Sequence, residues 1–205
     1  MVHILRSAWD DVVFIKQSLG VWNMPKSVKA NFAFQAAEAL ENLLGLVGHE
    51  VRSPRVEHGP FDLVVGDLRA QLKSTHSKDS MGVQLRRNTG KGTRQYYLNE
   101  FDVLILTGVG ESVGKLVSLH AIPIAELFFR GSVGQQHRKG GYLTVYPPSL
   151  IPNGFQKQTH EWQAEYCFDP TTLLHNKQEQ ERLSAIFKRC RIFRERLTLK
   201  ASDIV

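Results

Sequence analysis

Apolar residues recur at helical spacing in two segments near the start of the chain. In the first segment, residues 7–19, they stand at Trp9, Val12, Val13 and Ile15, and Gly20 follows as a helix end. The second segment runs from Phe32 to Val47, with Gly48 at the position where helices commonly end in glycine. Its apolar positions are Ala36, Ala37, Leu40, Leu43, Leu44 and Val47. We therefore predict a short helix over 7–19 and a longer helix over 32–47 that packs on a sheet.

Two short apolar runs follow, and Gly66-Asp67 between them is a turn signal. A two-residue turn at this point pairs Val65 with Leu68, Val64 with Arg69, Leu63 with Ala70 and Asp62 with Gln71. Because strand side chains alternate between faces, this register puts Asp62, Gln71 and Lys73 on one face of a hairpin. Residues 50–52 are predicted to be an extended segment that leads toward it.

The remaining apolar runs predict further strands and two more helices. Strand character is present over 101–109, 115–122 and 142–146, and at a strand edge near 83–85. Residues 124–129 predict a short helix, 162–168 a strand or edge segment, and 171–197 a basic amphipathic helix. Its apolar side comprises Leu174, Leu183, Ile186, Phe187 and Phe193. This order of elements predicts an α/β fold in which helices flank a central mixed sheet.

Length, charge and cysteine content narrow the class of protein. With 205 residues, of which 42% are hydrophobic, the chain is large enough for one ordinary core, and we expect a single domain over 1–205. Lys and Arg number 26 against 20 Asp and Glu, and the net charge of +6 suits a polyanionic partner. Cys167 and Cys190 lack metal-ligand spacing, which favours a reducing compartment. No apolar run approaches the ~20 residues of a membrane span and no signal peptide is evident, so we expect a soluble intracellular protein that is not secreted.

The polar face of the predicted hairpin carries the candidate chemistry. Burying a carboxylate, a carboxamide and an ammonium together is unfavourable unless the three satisfy one another or hold a cation. One interpretation is a buried polar network in which Asp62, Gln71 and Lys73 neutralise each other. The other interpretation is a metal-dependent site, and the acidic helix ahead of the hairpin and the basic segment after it favour this second one.

These residues resemble the motif of the PD-(D/E)XK phosphodiesterase superfamily of nucleases, in which a helix acid precedes a strand acid and then an acid-x-lysine strand. The matching residues are Glu38, then Asp62 after Pro60-Phe61, and then Gln71 and Lys73. Glutamine departs from the usual second carboxylate and is similar to a QxK branch that includes a group I intron homing endonuclease. The resemblance covers about residues 32–108. It implies a restriction-endonuclease-like core over about 32–125; outside the resemblance we expect a C-terminal strand and basic helical extension over about 140–200.

The resemblance also implies a role for each residue. Asp62 and Gln71, supported by Glu38, would ligate Mg²⁺, or Mn²⁺ in its place, because such cations prefer hard oxygen ligands. Glu41, one turn later, competes with Glu38 for this role. Lys73 would orient the attacking water or stabilise the phosphate oxygens that gain negative charge. The neutral amide of Gln71 lowers the charge at the site by one relative to a second carboxylate, and this should weaken a second cation more than the first.

The polar and basic stretch over 74–99 is predicted to be a long functional loop that follows a nucleic-acid backbone. The residues expected to contact nucleic acid are Lys78, Arg86, Arg87, Lys91, Arg94 and Tyr96. A solvated flexible loop is the alternative. For the basic cluster at 188–196 a solvated helix face is favoured over DNA contact.

The sequence as a whole predicts a Mg²⁺-dependent endonuclease that hydrolyses phosphodiester bonds in DNA. We expect a homodimer or a higher homo-oligomer, because cutting both strands of a duplex is commonly achieved by two symmetric sites. The alternatives are a catalytically impaired nucleic-acid-binding module of the same fold, and a nuclease directed to DNA junctions or to RNA.

Overall fold

The computed structural model describes residues 28–53, 60–75, 81–88, 93–109, 115–133, 142–146 and 160–202. The helix predicted over 7–19 and the cations Lys78 and Lys91 lie outside the described residues. The helices within these ranges are α1 (Val28–Leu46), α2 (Ile124–Phe129), α3 (Pro170–His175), α4 (Lys177–Ser202) and a 3₁₀ helix (Glu161–Tyr166). None of them combines the length and the apolar composition that a membrane-spanning helix requires.

The strands of the described ranges are β1 (Val51–Arg52), β2 (Leu63–Val65), β3 (Leu68–Thr75), β4 (Met81–Gln84), β5 (Arg86–Asn88), β6 (Thr93–Gln95), β7 (Val103–Val109), β8 (Leu116–Pro123), β9 (Tyr142–Val145) and β10 (Cys167–Phe168). Six of these strands form one sheet in the order β1-β2-β3-β7-β8-β10. Strands β3 and β7 are parallel and the other neighbours are antiparallel. The predicted α/β class, with a central mixed sheet flanked by helices, is confirmed.

The core lies on the middle of this sheet. Every residue of β7 is buried, as expected of a central strand that is covered on both faces. Helix α1 contacts β3, β7 and β8. Its buried residues are Ala36, Ala39, Leu40, Leu43 and Leu44. Each fully buried leucine stabilises the fold by about 1.5–3 kcal/mol relative to exposure, so this side of the helix determines how α1 lies on the sheet.

Glycine ends helix α1 as predicted, and the helix begins earlier than predicted, at Val28. Gly48 has a φ of +87°, a left-handed conformation that a residue with a Cβ atom adopts only under strain. The chain then turns into β1, which pairs with β2 in antiparallel register. Residues 50–52, predicted to be extended, supply this edge strand.

The β2–β3 hairpin has the predicted register. Val65 lies opposite Leu68, Val64 opposite Arg69 and Leu63 opposite Ala70. Gly66 in the turn has a φ of +61°, which agrees with a tight hairpin turn. Strand β3 continues to Thr75, although a loop was predicted from residue 74, because its parallel pairing with β7 extends as far as Thr75 opposite Gly108.

Two arginines of helix α4 hold the tip of this hairpin. Arg191 Nε donates to Asp67 Oδ1 at 2.6 Å, and Arg194 Nη1 donates to the Asp67 carbonyl oxygen at 2.6 Å. Burial acts to raise the pKa of Asp67, but the hydrogen bonds and charges of the two guanidinium groups outweigh it and lower that pKa. The predicted solvated face at 188–196 is therefore wrong for Arg191 and Arg194, which bind the hairpin instead, while Lys188 and Arg196 are exposed.

The C-terminal region differs from its prediction in two places. Where a strand or edge segment was predicted over 162–168, residues 162–166 belong to the 3₁₀ helix and residues 167–168 form the two-residue strand β10. The predicted single helix over 171–197 is divided into α3 and α4 at Asn176. Asp169 caps α3 by accepting a hydrogen bond from Thr172 N at 2.7 Å, and Asn176 Oδ1 caps α4 by accepting one from Gln178 N at 2.9 Å.

The stretch over 74–99 contains short strands where it is described, so the prediction of one long loop is wrong there. The predicted strand edge near 83–85 is present as β4, which pairs with β9, and β5 pairs with β6 as a separate hairpin. Val83 and Leu85 are buried and anchor this segment to the core.

Candidate active site

The side chains of Asp62 and Gln71 are in direct contact beside the hairpin. Gln71 is 2% exposed, and its Nε2 donates hydrogen bonds to Asp62 Oδ2 and, at 3.3 Å, to the Leu72 carbonyl oxygen. The backbone N–H of Leu72 donates to the same Asp62 Oδ2 at 2.9 Å. On the other side of the amide, Gln71 Oε1 accepts a hydrogen bond from the Tyr96 hydroxyl at 2.9 Å.

The hairpin ladder explains why these two side chains meet. Asp62 N donates to the Ala70 carbonyl oxygen at 2.9 Å, which holds the Asp62 backbone beside β3 just before β2 begins. The alternation of side chains along a strand then turns Asp62 toward the face that carries Gln71 and away from buried Leu63. The predicted juxtaposition of Asp62 and Gln71 therefore follows from the turn at Gly66-Asp67.

The Asp62 carboxyl is accessible at the surface and is also partly enclosed by protein. The residue as a whole is exposed. Protein atoms packed around the carboxyl nevertheless raise the pKa of Asp62. The Leu72 N–H, the Lys73 charge and the Gln71 amide act in the opposite direction and are together outweighed. A carboxyl of this kind combines access to solvent with a reduced preference for the free anion, and a bound cation would reverse that preference.

Lys73 lies two residues after Gln71 on β3, on the same face of the strand. Its side chain is half-buried, and its positive charge is close enough to act on the Asp62 carboxyl. No direct ion pair joins these two described side chains. The arrangement therefore holds a flexible ammonium near an accessible carboxylate and leaves each of them able to contact a further group.

Glu38, the predicted helix acid, is half-buried on α1, and α1 packs against β3, the strand that carries Gln71 and Lys73. Its rival Glu41 accepts a hydrogen bond from Ser53 Oγ at 3.0 Å, just after β1. Across the described ranges, no group of three or more His, Cys, Asp and Glu side chains is close enough to hold a metal ion. The predicted acids therefore do not form a ready-made carboxylate cluster.

Some of the side-chain oxygens at this site are suitable ligands for a hard cation. Carboxylate oxygens of Asp62 and Glu38 are ligands that Mg²⁺ accepts. Gln71 differs from its predicted ligand role, because it directs its NH₂ group toward Asp62 and its oxygen toward Tyr96. The reason is local: Asp62 Oδ2 and the Leu72 carbonyl oxygen are both acceptors, and only the nitrogen of the amide can satisfy them.

Tyr96 corrects the predicted nucleic-acid interface. Its side chain is buried, with 4% exposure, and its ring packs edge-on against Phe101 with centroids 5.1 Å apart. Burial and, less strongly, the negative charges of Asp62 and Glu100 raise the pKa of Tyr96 to about 12. This ring cannot lie along a nucleic-acid strand, whereas Tyr97 beside it is 46% exposed. The sequence carried a signal that only one of Tyr96 and Tyr97 would be exposed, because adjacent residues of an extended segment point to opposite sides.

The predicted loop cations divide into an exposed residue and two that bind a glutamate. Arg86 is exposed. Arg87 and Arg94 both contact Glu100, with Arg94 Nη1 and Nη2 at 2.7 and 2.6 Å from its carboxylate oxygens. Burial opposes ionisation of Glu100, but the hydrogen bonds from Arg94, the Tyr97 N–H and Arg87 outweigh it and lower the pKa of Glu100 to about 2. Arg87 and Arg94 therefore stabilise the β5–β6 hairpin, which sequence reasoning did not predict.

No protein-family model matches the chain, and no curated protein matches it. Among solved structures, the chain is similar to a bacterial homing endonuclease, I-Ssp6803I. The sequences are 19% identical, the matched region covers 66% of this chain and 90% of that one, and the TM-score is 0.43.

Proposed function

We propose that the chain is a Mg²⁺-dependent DNA endonuclease, with Mn²⁺ able to replace Mg²⁺. The observation that supports this most directly is the contact between accessible Asp62 and buried Gln71, with the Lys73 charge acting on Asp62 from the same face of β3. A purely structural network would be expected to pair Lys73 with the carboxylate directly. Here Lys73 acts on Asp62 through its charge and no ion pair joins these two described side chains, which leaves both able to contact a charged substrate.

The roles follow from the chemistry of phosphodiester hydrolysis. Asp62, assisted by Glu38, would hold the cation, which when bound supplies positive charge against the phosphate oxygens and lowers the pKa of water. The Lys73 ammonium would donate hydrogen bonds to the attacking water or to the phosphate oxygens that gain negative charge. Gln71 would keep Asp62 in place through its amide N–H. Glu41 is the weaker candidate for the helix acid because it binds Ser53.

We propose that Arg86 and Tyr97, both exposed, contact DNA. An arginine reaches backbone phosphates and a tyrosine ring stacks on bases or sugars, so the two residues suit a nucleic-acid strand. Lys78 and Lys91 remain proposed contacts of the same segment. We also propose that two copies of the chain, each with a single nuclease domain, cut the two strands of a duplex.

Plasmid cleavage tests this proposal. Supercoiled plasmid is incubated with the protein and Mg²⁺ or Mn²⁺, and nicked and linear products are measured over time. We expect Asp62→Asn and Lys73→Met to lower the rate by at least about 100-fold, the lower end of the contribution of such groups. Lys177→Met removes an equal charge from a residue that is 88% exposed and serves as the matched control. Absence of cleavage by wild type with either cation, or full activity of both site variants, would contradict the proposal.

One observation favours a second candidate, a nucleic-acid-binding module that has lost its catalytic function. Gln71 points an amide N–H rather than an oxygen at Asp62, which removes one ligand from the site. This candidate predicts that wild type binds a fluorescent DNA duplex in an anisotropy assay and cleaves nothing. RNA and four-way junction substrates in the same experiment test the remaining alternatives, because preferential cleavage of either would redirect the proposal.

A further inference from the structure

The orientation of the Gln71 amide is determined by its surroundings. Asp62 Oδ2 and the Leu72 carbonyl oxygen lie near Gln71 Nε2, and neither of them can donate a hydrogen bond when Asp62 is ionised. Reversing the amide would bring its oxygen against two acceptor oxygens, and only its nitrogen would keep a partner, the Tyr96 hydroxyl oxygen. Because Gln71 is 2% exposed, water cannot compensate for that mismatch.

Tyr96 completes this arrangement from the other side. Its hydroxyl donates to Gln71 Oε1 at 2.9 Å, and the residue is 4% exposed. The edge-on packing against Phe101 keeps the tyrosine ring in place. Tyr96 therefore satisfies the amide oxygen at the position farthest from Asp62, and the amide nitrogen remains directed at the carboxylate.

The hydrogen bonds at Asp62 are concentrated on one of its two oxygens. Gln71 Nε2 and Leu72 N both donate to Oδ2. Within the described part of the chain, no residue donates a hydrogen bond to Oδ1. Two donors on one oxygen fix the plane of the carboxylate and leave the second oxygen as the atom that an incoming cation can approach.

We propose that Gln71 and Tyr96 are positioning residues, and that Asp62 offers Oδ1 to the cation while the Gln71 amide keeps its hydrogen bond to Oδ2. Gln71 acts through Asp62, and Tyr96 acts through Gln71. The inference rests on the proposed function and deepens it, because it assigns the cation a single carboxylate oxygen on the hairpin instead of a carboxylate and an amide oxygen. Residues that orient a metal ligand in this way commonly contribute 10- to 100-fold to metal affinity, on the order seen for such partners.

NMR spectroscopy distinguishes this arrangement from direct ligation by Gln71. The side-chain NH₂ signals of Gln71 are assigned in ¹⁵N-labelled protein by their loss in Gln71→Glu, and Mg²⁺ binding is measured in parallel by calorimetry. We expect the Gln71 NH₂ protons to exchange slowly with water both before and after saturation with Mg²⁺. The ¹³C signal of the Asp62 carboxylate should shift with the same dissociation constant that calorimetry gives. Exposure or reorientation of the Gln71 amide on Mg²⁺ addition would overturn the inference, as would a Mg²⁺-insensitive Asp62 signal.

A pair of tyrosine variants tests the second step. Tyr96→Phe should accelerate exchange of the Gln71 NH₂ protons and weaken Mg²⁺ binding by about 10-fold or more. Tyr166→Phe removes the hydroxyl of another buried tyrosine, 4% exposed, and should change neither quantity. Unchanged exchange and affinity in Tyr96→Phe would refute its positioning role. These readouts need no cleavage, so a protein that binds Mg²⁺ as described and fails to cut DNA contradicts the proposed function alone.

Discussion

Replacing Gln71 by glutamate is the most informative single change at this site. The substitution keeps the shape of the side chain and introduces a second carboxylate beside Asp62. In the wild type, the group that faces Asp62 Oδ2 is a hydrogen-bond donor. In the variant it is a second negative charge in contact with the first, on a residue that is 2% exposed.

The expected loss of stability has two contributions. Two unit charges about 4 Å apart repel each other by about 4 kcal/mol at an effective dielectric constant of about 20. The lost hydrogen bond to a charged group is worth about 1.5–3 kcal/mol. Because Asp62 is exposed, solvent screens part of the repulsion, and protonation of one carboxyl limits it further. We therefore expect the free energy of unfolding to fall by about 2–4 kcal/mol at pH 7 without divalent cations.

Urea unfolding at several pH values and Mg²⁺ concentrations measures this effect. Crowding of the two carboxyl groups raises the pKa of one of them in the folded variant above its unfolded value. The folded variant then binds protons more readily than the unfolded chain, so its stability falls as the pH rises from about 4 toward that raised pKa. Mg²⁺ should restore stability, by about 2.7 kcal/mol at a concentration 100 times the dissociation constant.

Gln163→Glu is the matched control, because Gln163 is also buried, with 1% exposure, and binds backbone groups and the His160 ring instead of a carboxylate. It measures the penalty of burying a new acid, and Mg²⁺ should not relieve that penalty. The reasoning fails if Gln71→Glu is as stable as wild type at pH 7 without cations. It also fails if Mg²⁺ stabilises the two variants equally.

Three further predictions concern the fold. The pKa of Glu100 is about 2 against an ordinary value of 4.5, so the ionised Glu100 carboxylate stabilises the folded protein by about 3 kcal/mol. This stabilisation should be lost as the pH falls from 4.5 to 2. Glu100→Gln should remove this pH dependence in acid unfolding. Burial lowers the pKa of His120 to about 4 from 6.5, so stability should decline as the pH falls from 6.5 to 4, and a smaller fall in melting temperature over this range in His120→Leu than in wild type would support the assignment. An added Cβ at Gly108 would collide with Ser118 Oγ, so Gly108→Ala should destabilise the protein by about 1–3 kcal/mol, and Ser118→Ala should recover part of that loss when the two are combined. An unchanged free energy of unfolding for Gly108→Ala in urea would contradict this account.

The local elements of the fold could be predicted because each depends on short-range signals in the chain. Helix α1 is visible from the spacing of Ala36, Leu40 and Leu43, and its end is visible from Gly48. The register of the β2–β3 hairpin follows from Gly66-Asp67, because a two-residue turn leaves one pairing of the flanking residues. The meeting of Asp62 with Gln71 follows from that register, which is why the central pair of the candidate site was predictable.

What the tertiary structure alone decided is which atoms of those residues are already engaged. The donors and acceptors around Gln71 come from β3 and from Tyr96, 25 residues away along the chain, and together they turn the amide nitrogen toward Asp62. Arg87 and Arg94 look like free cations in the sequence, yet the fold places both on Glu100. Arg191 and Arg194 likewise meet Asp67, more than a hundred residues earlier. Hydrogen bonds and ion pairs depend on distances of a few ångströms between segments remote in sequence, and only the packing of helices on the sheet determines those distances.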